Sequence, residues 1–323
     1  MKAVILAAGL GKRMAPITHR IAKPAMPLFG RPLIVHLIMQ LQRAGVSEFY
    51  VNLHHMPHTI RSSLRRLRPL RIQFSFEESI LGTAGALYPW RDQLRDDHFI
   101  IVNGDIVTDV DFEIMIARHR KLGADATLAL HPGSSERGFP VIGADESGRI
   151  TRFPYSIIRS GSYAWGGTFT GVQIVSFRYL DFIHSRRFLT STESVYPEMI
   201  QKGYNLQAYC HAGYWNDAGT PERYFEAHRD RMDTKKEAAE LCRSEKVSVW
   251  YEDQWLFKDS SCTIAPDMQL DGIVVLGRNC VIGSGAHLRN TIVWDNIEIR
   301  ERMDFENAIV FGPDESINIG HLP

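Results

Sequence analysis

Lys12, Arg13 and Lys23 lie just behind a glycine pair, Gly9 and Gly11, in the N-terminal stretch AAGLGKRMAPITHRIAKP. Cations beside bare backbone suit one kind of chemistry. A polyphosphate needs many short-range donors and charge neutralisation, and closely spaced glycines let several N–H groups point into one concavity. Asp105 adds a carboxylate. It closes the string NGD directly after the apolar run Phe99–Val102. At the carboxyl end of a buried strand, such a group is placed to hold a hard cation against phosphate oxygens. Two familiar phosphate loops are excluded. A dinucleotide G-x-G-x-x-G would need glycine where Met14 stands, and a Walker A loop would need glycine at Leu6 and Ser or Thr at Arg13.

The elements that must position these groups follow from pattern. Ala3–Ala8 is an uncharged apolar run and reads as a buried parallel strand. Leu33–Ala44 has helical spacing and stops at Gly45. Glu48–Leu53, Arg71–Glu77, Phe99–Val102, Ala126–Leu130 and Leu206–His211 read as strands, and Pro140–Gly148 as a hairpin turning at Glu146–Gly148. His54, His55 and His58 sit at a strand end without an acidic neighbour and read as structural. The basic cluster Arg61–Arg71 reads as a solvated helix and turn whose Ile60, Leu64 and Leu67 face inward. Asp109 and Asp111 read as loop and cap residues.

Composition bounds the function. The 323 residues allow one large domain or two ordinary ones, and 44% apolar residues support a full core. A net charge of zero offers no overall field for nucleic acid or an anionic membrane, so neither is expected as a partner. Four cysteines without a C-x-x-C pair suggest a reducing cytosol, hence a cytoplasmic location. The N-terminal apolar run is too short for a signal peptide, and no run approaches membrane-spanning length.

The first stretch resembles the signature of the sugar-1-phosphate nucleotidyltransferases. Ala7, Ala8, Gly9, Gly11, Arg13, Pro16, Thr18, Lys23, Pro24, Pro27, Gly30, Pro32, Leu33 and Ile34 match it in order. Two later strings carry the resemblance further. Leu81-Gly82-Thr83-Ala84-Gly85-Ala86-Leu87 is similar to the family's base-reading loop, and also fits a helix N-terminus with Thr83 near the cap. Gly213-Tyr214-Trp215-Asn216-Asp217-Ala218-Gly219-Thr220-Pro221-Glu222 matches the family's G-Y-W-x-D-x-G-T-P-E, with Thr220-Pro221 as cap and first helical residue. Gly166–Val175 resembles the sugar-pocket strand, with Thr170 where many members have Asn. The chain departs at Lys12, where Thr or Ser is usual, and at Ala22. It also departs at Phe139-Pro140, in place of Y-G, and at Phe153-Pro154-Tyr155, in place of an E-K-P whose lysine contacts the sugar phosphate. No lysine lies between Lys121 and Lys202; Arg152, Arg159 and Arg178 are the candidate replacements.

The tail repeats every six residues at Ile264, Leu270, Leu276, Ile282, Leu288 and Trp294, with Arg300 breaking the phase. That period predicts a parallel β-helix of about two regular coils. The expected division is a catalytic domain over 1–228, a helical linker over 229–250 and a hexapeptide-repeat domain over 251–323.

The resemblance implies an α/β fold with a Rossmann-like, doubly wound mixed sheet and a short left-handed C-terminal β-helix, a module that caps such proteins or joins them into homo-oligomers. It implies Mg2+-assisted, in-line transfer of a nucleotidyl group from a nucleoside triphosphate to a sugar 1-phosphate. GTP and a mannose- or heptose-type sugar are favoured over uridylyl or thymidylyl transfer. Asp105 and Asp217 are then the metal carboxylates, and Arg13 and Lys23 the catalytic cations. Ala8, Gly9, Gly11, Lys12, Gly82, Thr83 and Gly104 face the nucleotide, and Thr170 and Gly171 face the sugar. Lys12 either adds to the pyrophosphate site or is solvated. The missing lysine keeps a second reading open: a paralogue that binds a sugar nucleotide without making it.

Overall fold

The computed structural model describes residues 1–67, 69–132, 139–154, 163–232, 249–251 and 254–320. Ala3, Val4 and Ile5 are fully buried because their strand, β1 (Lys2–Leu6), has neighbours on both sides. It pairs in parallel with β2 (Glu48–Leu53) and with the strand Phe99–Asn103. The first runs on to β3 (Arg71–Phe76), also parallel. Numbered on in chain order, Phe99–Asn103 is β4, Ala126–His131 β5, Val141–Ala144 β6, Ile150–Arg152 β7, Trp165–Val175 β8 and Leu206–Cys210 β9. The sheet order is β7-β6-β8-β4-β1-β2-β3, with β5 pairing β8 and β9. Strand β8 is antiparallel to β4, β5 and β6, so the sheet is mixed, and β1 through β5 all end at one edge. The expected hairpin is present as β6 and β7, its turn closed by Asp145, which accepts from the Ser147 and Arg149 amides.

Helices α1 (Leu33–Arg43), α2 (Pro57–Leu64) and α5 (Pro221–Met232) fall near their expected places; α3 (Phe112–Lys121) follows Asp111, and α4 (Tyr196–Gln201) lies between β8 and β9. Asp111 caps α3 by accepting from the Ile114 amide at 2.9 Å. Thr220 caps α5 through the Arg223 amide. The chain packs as two compact units. Met1–Leu10, Ala22–Pro24 and Ile34–Trp215 form the first; Gly11–Ile21, Ala25–Leu33 and Asn216–Pro323 form the second. Residues 233–248 of the expected helical linker lie outside the described residues.

In the second unit the tail forms two ladders. Strands β10 (Val249–Tyr251), β11 (Gln254–Lys258), β13 (Gln269–Leu276), β15 (His287–Val293), β17 (Asp304–Gly312) and β18 (Glu315–Asn318) form one sheet, whose inner pairs are parallel. Strands β12 (Thr263–Ile264), β14 (Val281–Ile282) and β16 (Glu298–Ile299) form the other. The sixfold register holds for Ile264, Ile282, Leu270 and Leu288, but it fails earlier than Arg300. Leu276 pairs with Val293, not Trp294, because the corner Gly272-Ile273 is answered by Asn290 alone. That corner is a ladder of left-handed asparagines. Asn290 (φ 46°) donates to Asn307 (φ 49°) and accepts from the Ile273 amide. A side-chain amide supplies the hydrogen bond that the tightened turn omits, which is why asparagine tolerates the strain here.

One buried group in the first unit makes the fold acid-sensitive. His119 on α3 is fully buried between His98, at 2.7 Å, and the Thr127 hydroxyl, at 2.8 Å. Burial, with smaller contributions from His98 and Arg120, pushes its imidazolium down to about 3 from 6.5. The unfolded chain takes up a proton near 6.5 and the folded chain does not until about 3. The neutral ring's contribution is therefore complete above pH 6.5 and is lost as pH falls towards 3. The loss at the acid end is on the order of 5 kcal/mol. Urea titrations at pH 7 and pH 4 should show a smaller drop for His119→Gln than for the parent chain.

Candidate functional site

In the first unit, the parallel strands deliver their last residues to one edge, where ligands of open α/β sheets bind. Beyond β1, Ala7 and Ala8 are buried while Gly9 is exposed, with nothing within 4 Å of the place a Cβ would take. The turn is bare on its open side. Its start is fixed from below: the Ala7 amide donates to Asn52 Oδ1 at 2.7 Å. Asn52 donates in turn to Glu77 Oε1 at 2.8 Å, and Glu77 Oε2 accepts the Leu81 amide at 2.8 Å. Asn52 is the penultimate residue of β2 and Glu77 follows β3, so neighbouring strand ends carry this chain of bonds; both residues are buried.

The Leu81–Leu87 string forms a short helical turn over Gly82–Gly85. Its glycines are required by a neighbour. A Cβ at Gly82, whose φ is +76°, would lie 2.6 Å from the Leu189 carbonyl oxygen, and one at Gly85 would overlap that of Arg187. The Ala84 and Gly85 amides both donate to Leu189 O, at 2.9 and 3.0 Å, so these two donors face the protein. Thr83 accepts from the Ser191 amide at 2.8 Å and so fastens the same segment.

Lys23 Nζ lies 2.7 Å from Asp105 Oδ2, just past the end of β4. The lysine side chain is 8% exposed and the carboxylate 29%. Gly104 is pinned between Ile5, Leu6 and Pro24, and its amide donates to Leu6 O at 2.8 Å. Strand β1 thereby sets the height of Asp105. Thr170 does not present its hydroxyl at a surface: it is 1% exposed and donates to Ala129 O at 3.0 Å. Gly171, at φ +84°, lets the Asn103 amide approach β8. Phe153 is buried and stacks on Tyr196 with ring centroids 5.9 Å apart, so this position serves the core. Of the candidate replacements for the missing lysine, Arg178 pairs with Asp125 at the opposite edge of the sheet. Arg152 stands over the Tyr163 ring at 5.3 Å. Arg159 and Tyr155 lie outside the described residues.

In the second unit, Gly11 takes φ 60° and opens a short turn that exposes Lys12 and Arg13. Thr18 closes it by donating to Gly11 O at 3.1 Å. Arg13 reaches Asp217 Oδ2 at 3.4 Å, Arg223 Nε lies 2.8 Å from Oδ1, and the Gly219 amide donates to Oδ1 at 3.1 Å. Both carboxylates singled out by sequence thus rest in ion pairs with basic residues. Opposite charges at this range are the groups a phosphate and a cation would exchange partners with. Sequence reasoning missed Asn52, Glu77, Leu189 and Arg223. A polar Asn in the strand EFYVNL and the acid closing RIQFSFE were signals for the first two. Nothing local pointed to Leu189. No helix among the described residues is long and apolar enough to cross a membrane.

The profile described as nucleotidyl transferase matches residues 2–234. A mannose-1-phosphate guanylyltransferase of Mycobacterium tuberculosis is 27% identical over 310 residues, covering 92% of this chain and 80% of the relative. A UTP–glucose-1-phosphate uridylyltransferase of Synechocystis is 25% identical over 340 residues, covering 97% and 87%. Among solved structures, a putative glucose-1-phosphate thymidylyltransferase of Bacillus anthracis in complex with a sucrose superposes with a TM-score of 0.61 at 20% identity, covering 73% of this chain and 96% of that one. That likeness is one of fold.

Proposed function

Since the chain belongs to the nucleotidyl transferase family, we propose that it transfers guanylate from GTP to mannose 1-phosphate, releasing pyrophosphate and GDP-mannose. The carrying observation is the Lys23–Asp105 ion pair beside the bare Ala7–Gly9 turn, at the edge where the parallel strands end. The choice of guanine and mannose is supported by the relatives matched over almost the whole chain.

The reaction needs little covalent help. A sugar-phosphate oxygen attacks the α-phosphorus in line, the bond to the bridging oxygen breaks, and pyrophosphate leaves with the electron pair. The attacking oxygen is already anionic at neutral pH, so alignment and charge neutralisation carry the rate. In this reading Arg13, Lys12 and the amides around Gly9 and Gly11 hold the departing phosphates. Lys23 leaves Asp105 for the reacting phosphate. Asp105 and Asp217 fit Mg2+ by donor type. Among the described residues there is no cluster of three or more His, Cys, Asp or Glu, and Mg2+ commonly takes one or two carboxylates and completes its shell with water and phosphate. When bound, Mg2+ supplies charge withdrawal from the α-phosphate. Sugar selection falls to the β5–β8 edge around Gly171.

The stacked C-terminal coils are read as a left-handed β-helix that joins copies into a homo-oligomer, which light scattering of the intact chain tests. The function itself is tested by pyrophosphate release, with each nucleoside triphosphate against a panel of sugar 1-phosphates and Mg2+. GTP with mannose 1-phosphate should exceed every other pair at least tenfold. A better rate with UTP and glucose 1-phosphate would move the base and sugar assignment. No release from any pair, with GDP-mannose still raising the melting temperature, would overturn turnover in favour of binding alone.

A further inference from the structure

We propose that Asn52 and Glu77 form a hydrogen-bond relay of fixed polarity that sets the spacing of the Ala7–Gly9 turn and the Leu81–Gly85 loop, and through it the affinity for nucleoside triphosphate. The inference rests on the reading of those two segments as the nucleotide site. Glu77 is a positioning residue in it.

Polarity is the core of the argument. Both ends of the relay are backbone donors, the Ala7 amide and the Leu81 amide. Asn52 has one acceptor and one donor end, and spends the acceptor on Ala7. The central group must therefore accept through both of its terminal atoms, Oε1 from Asn52 and Oε2 from Leu81, and a carboxylate does so where an amide cannot. Glu77 is 1% exposed, and its backbone is fixed as well: its amide donates to Leu53 O, and its carbonyl accepts from His54 Nδ1–H. Leu81 is held from the other side by the Leu189 amide, which donates to Leu81 O at 2.9 Å. A shift at either end is thus passed to the other.

Replacing Glu77 by Gln changes almost no volume but breaks the polarity. If the Gln oxygen takes the Asn52 donor, its NH2 faces the Leu81 N–H. If its NH2 instead donates to a flipped Asn52, the Asn52 NH2 faces the Ala7 N–H. One loop loses its anchor in either case. The exchanged pair restores it. With Asp at 52 and Gln at 77, Asp accepts from Ala7 and from the Gln NH2, and the Gln oxygen accepts from Leu81. Charge and atom count are conserved.

The experiment uses the full chain as parent, Glu77→Gln, Asn52→Asp and the double variant. GTP binding with Mg2+ is measured calorimetrically, alongside the KM for GTP and for mannose 1-phosphate. Glu77→Gln should raise the GTP Kd at least tenfold and its KM in parallel, with the sugar-phosphate KM within twofold. A general loss of folded protein would lower kcat and leave the GTP Kd of the remainder unchanged. The double variant should return to within threefold of the parent. Parent-like GTP binding by Glu77→Gln overturns the relay, and so does a double variant no better than the singles or unable to fold. A parent chain that binds no nucleoside triphosphate overturns the functional reading first, and the relay's role in affinity with it.

Discussion

Asp105→Asn should lower turnover by about a thousandfold while leaving the fold intact. Asn keeps an oxygen at the place where Asp105 Oδ2 meets Lys23 Nζ at 2.7 Å, so the lysine retains a hydrogen-bond acceptor. What it loses is the negative charge. That charge is the part that a cation against the α-phosphate requires, and it also holds Lys23 until a phosphate arrives. Lys23 is largely buried, so the stability cost is real; the carboxylate is partly solvated, which limits it to about 1 kcal/mol. Pyrophosphate release under saturating substrate and a thermal scan on the same preparation check both halves. Full turnover in the variant would remove Asp105 from the chemistry.

Gly85→Ala should destabilise the first unit by about 2–4 kcal/mol and weaken nucleotide binding together with it. The added methyl would overlap the Arg187 carbonyl oxygen, and backbone cannot rotate aside as a side chain can. The 187–189 segment has to retreat, which strips Leu189 O of the Ala84 and Gly85 amides and pulls the Leu189 amide from Leu81 O. Gly82→Ala meets Leu189 O at 2.6 Å and adds a φ of +76°, so it should cost at least as much. Gly203→Ala is the control: its φ is +80° but nothing lies within 4 Å, leaving backbone strain alone, about 1 kcal/mol. Urea titrations of the three variants separate the two terms. Equal losses at Gly85 and Gly203 would mean that the 187–189 backbone yields freely.

Much of the site's local form was legible in the chain. Uninterrupted apolar runs placed the strand before the glycine pair and the strand before Asp105, and the Thr220-Pro221 cap signal placed the helix after it, because each depends on residues within one turn or one strand. Family-like strings singled out Arg13, Lys23 and Asp217, and the place after an apolar strand singled out Asp105, without any structure. Their partners were not legible. Lys23 meets Asp105 across 82 positions, and Glu77 meets Asn52 across 25. Arg223 lies six places past Asp217 and closes on it around a helix start. Thr170 looked like a sugar contact from its place in the string, yet the register of β8 on β5 turns its hydroxyl into the sheet. The tail shows the same division. Its six-residue rhythm announced stacked parallel strands, whereas the shift of Leu276 onto Val293 was decided by a corner one residue shorter.

Residue type and local spacing determined which groups are candidates for the proposed polyphosphate site: bare glycine backbone, cations and carboxylates. Strand register and loop contact decided which of them are paired, which are buried, and which donors remain outward-facing. The reason is physical. Hydrogen bonds and ion pairs are short-range and directional, so their partners exist only once distant segments have been brought within about 3 Å of one another.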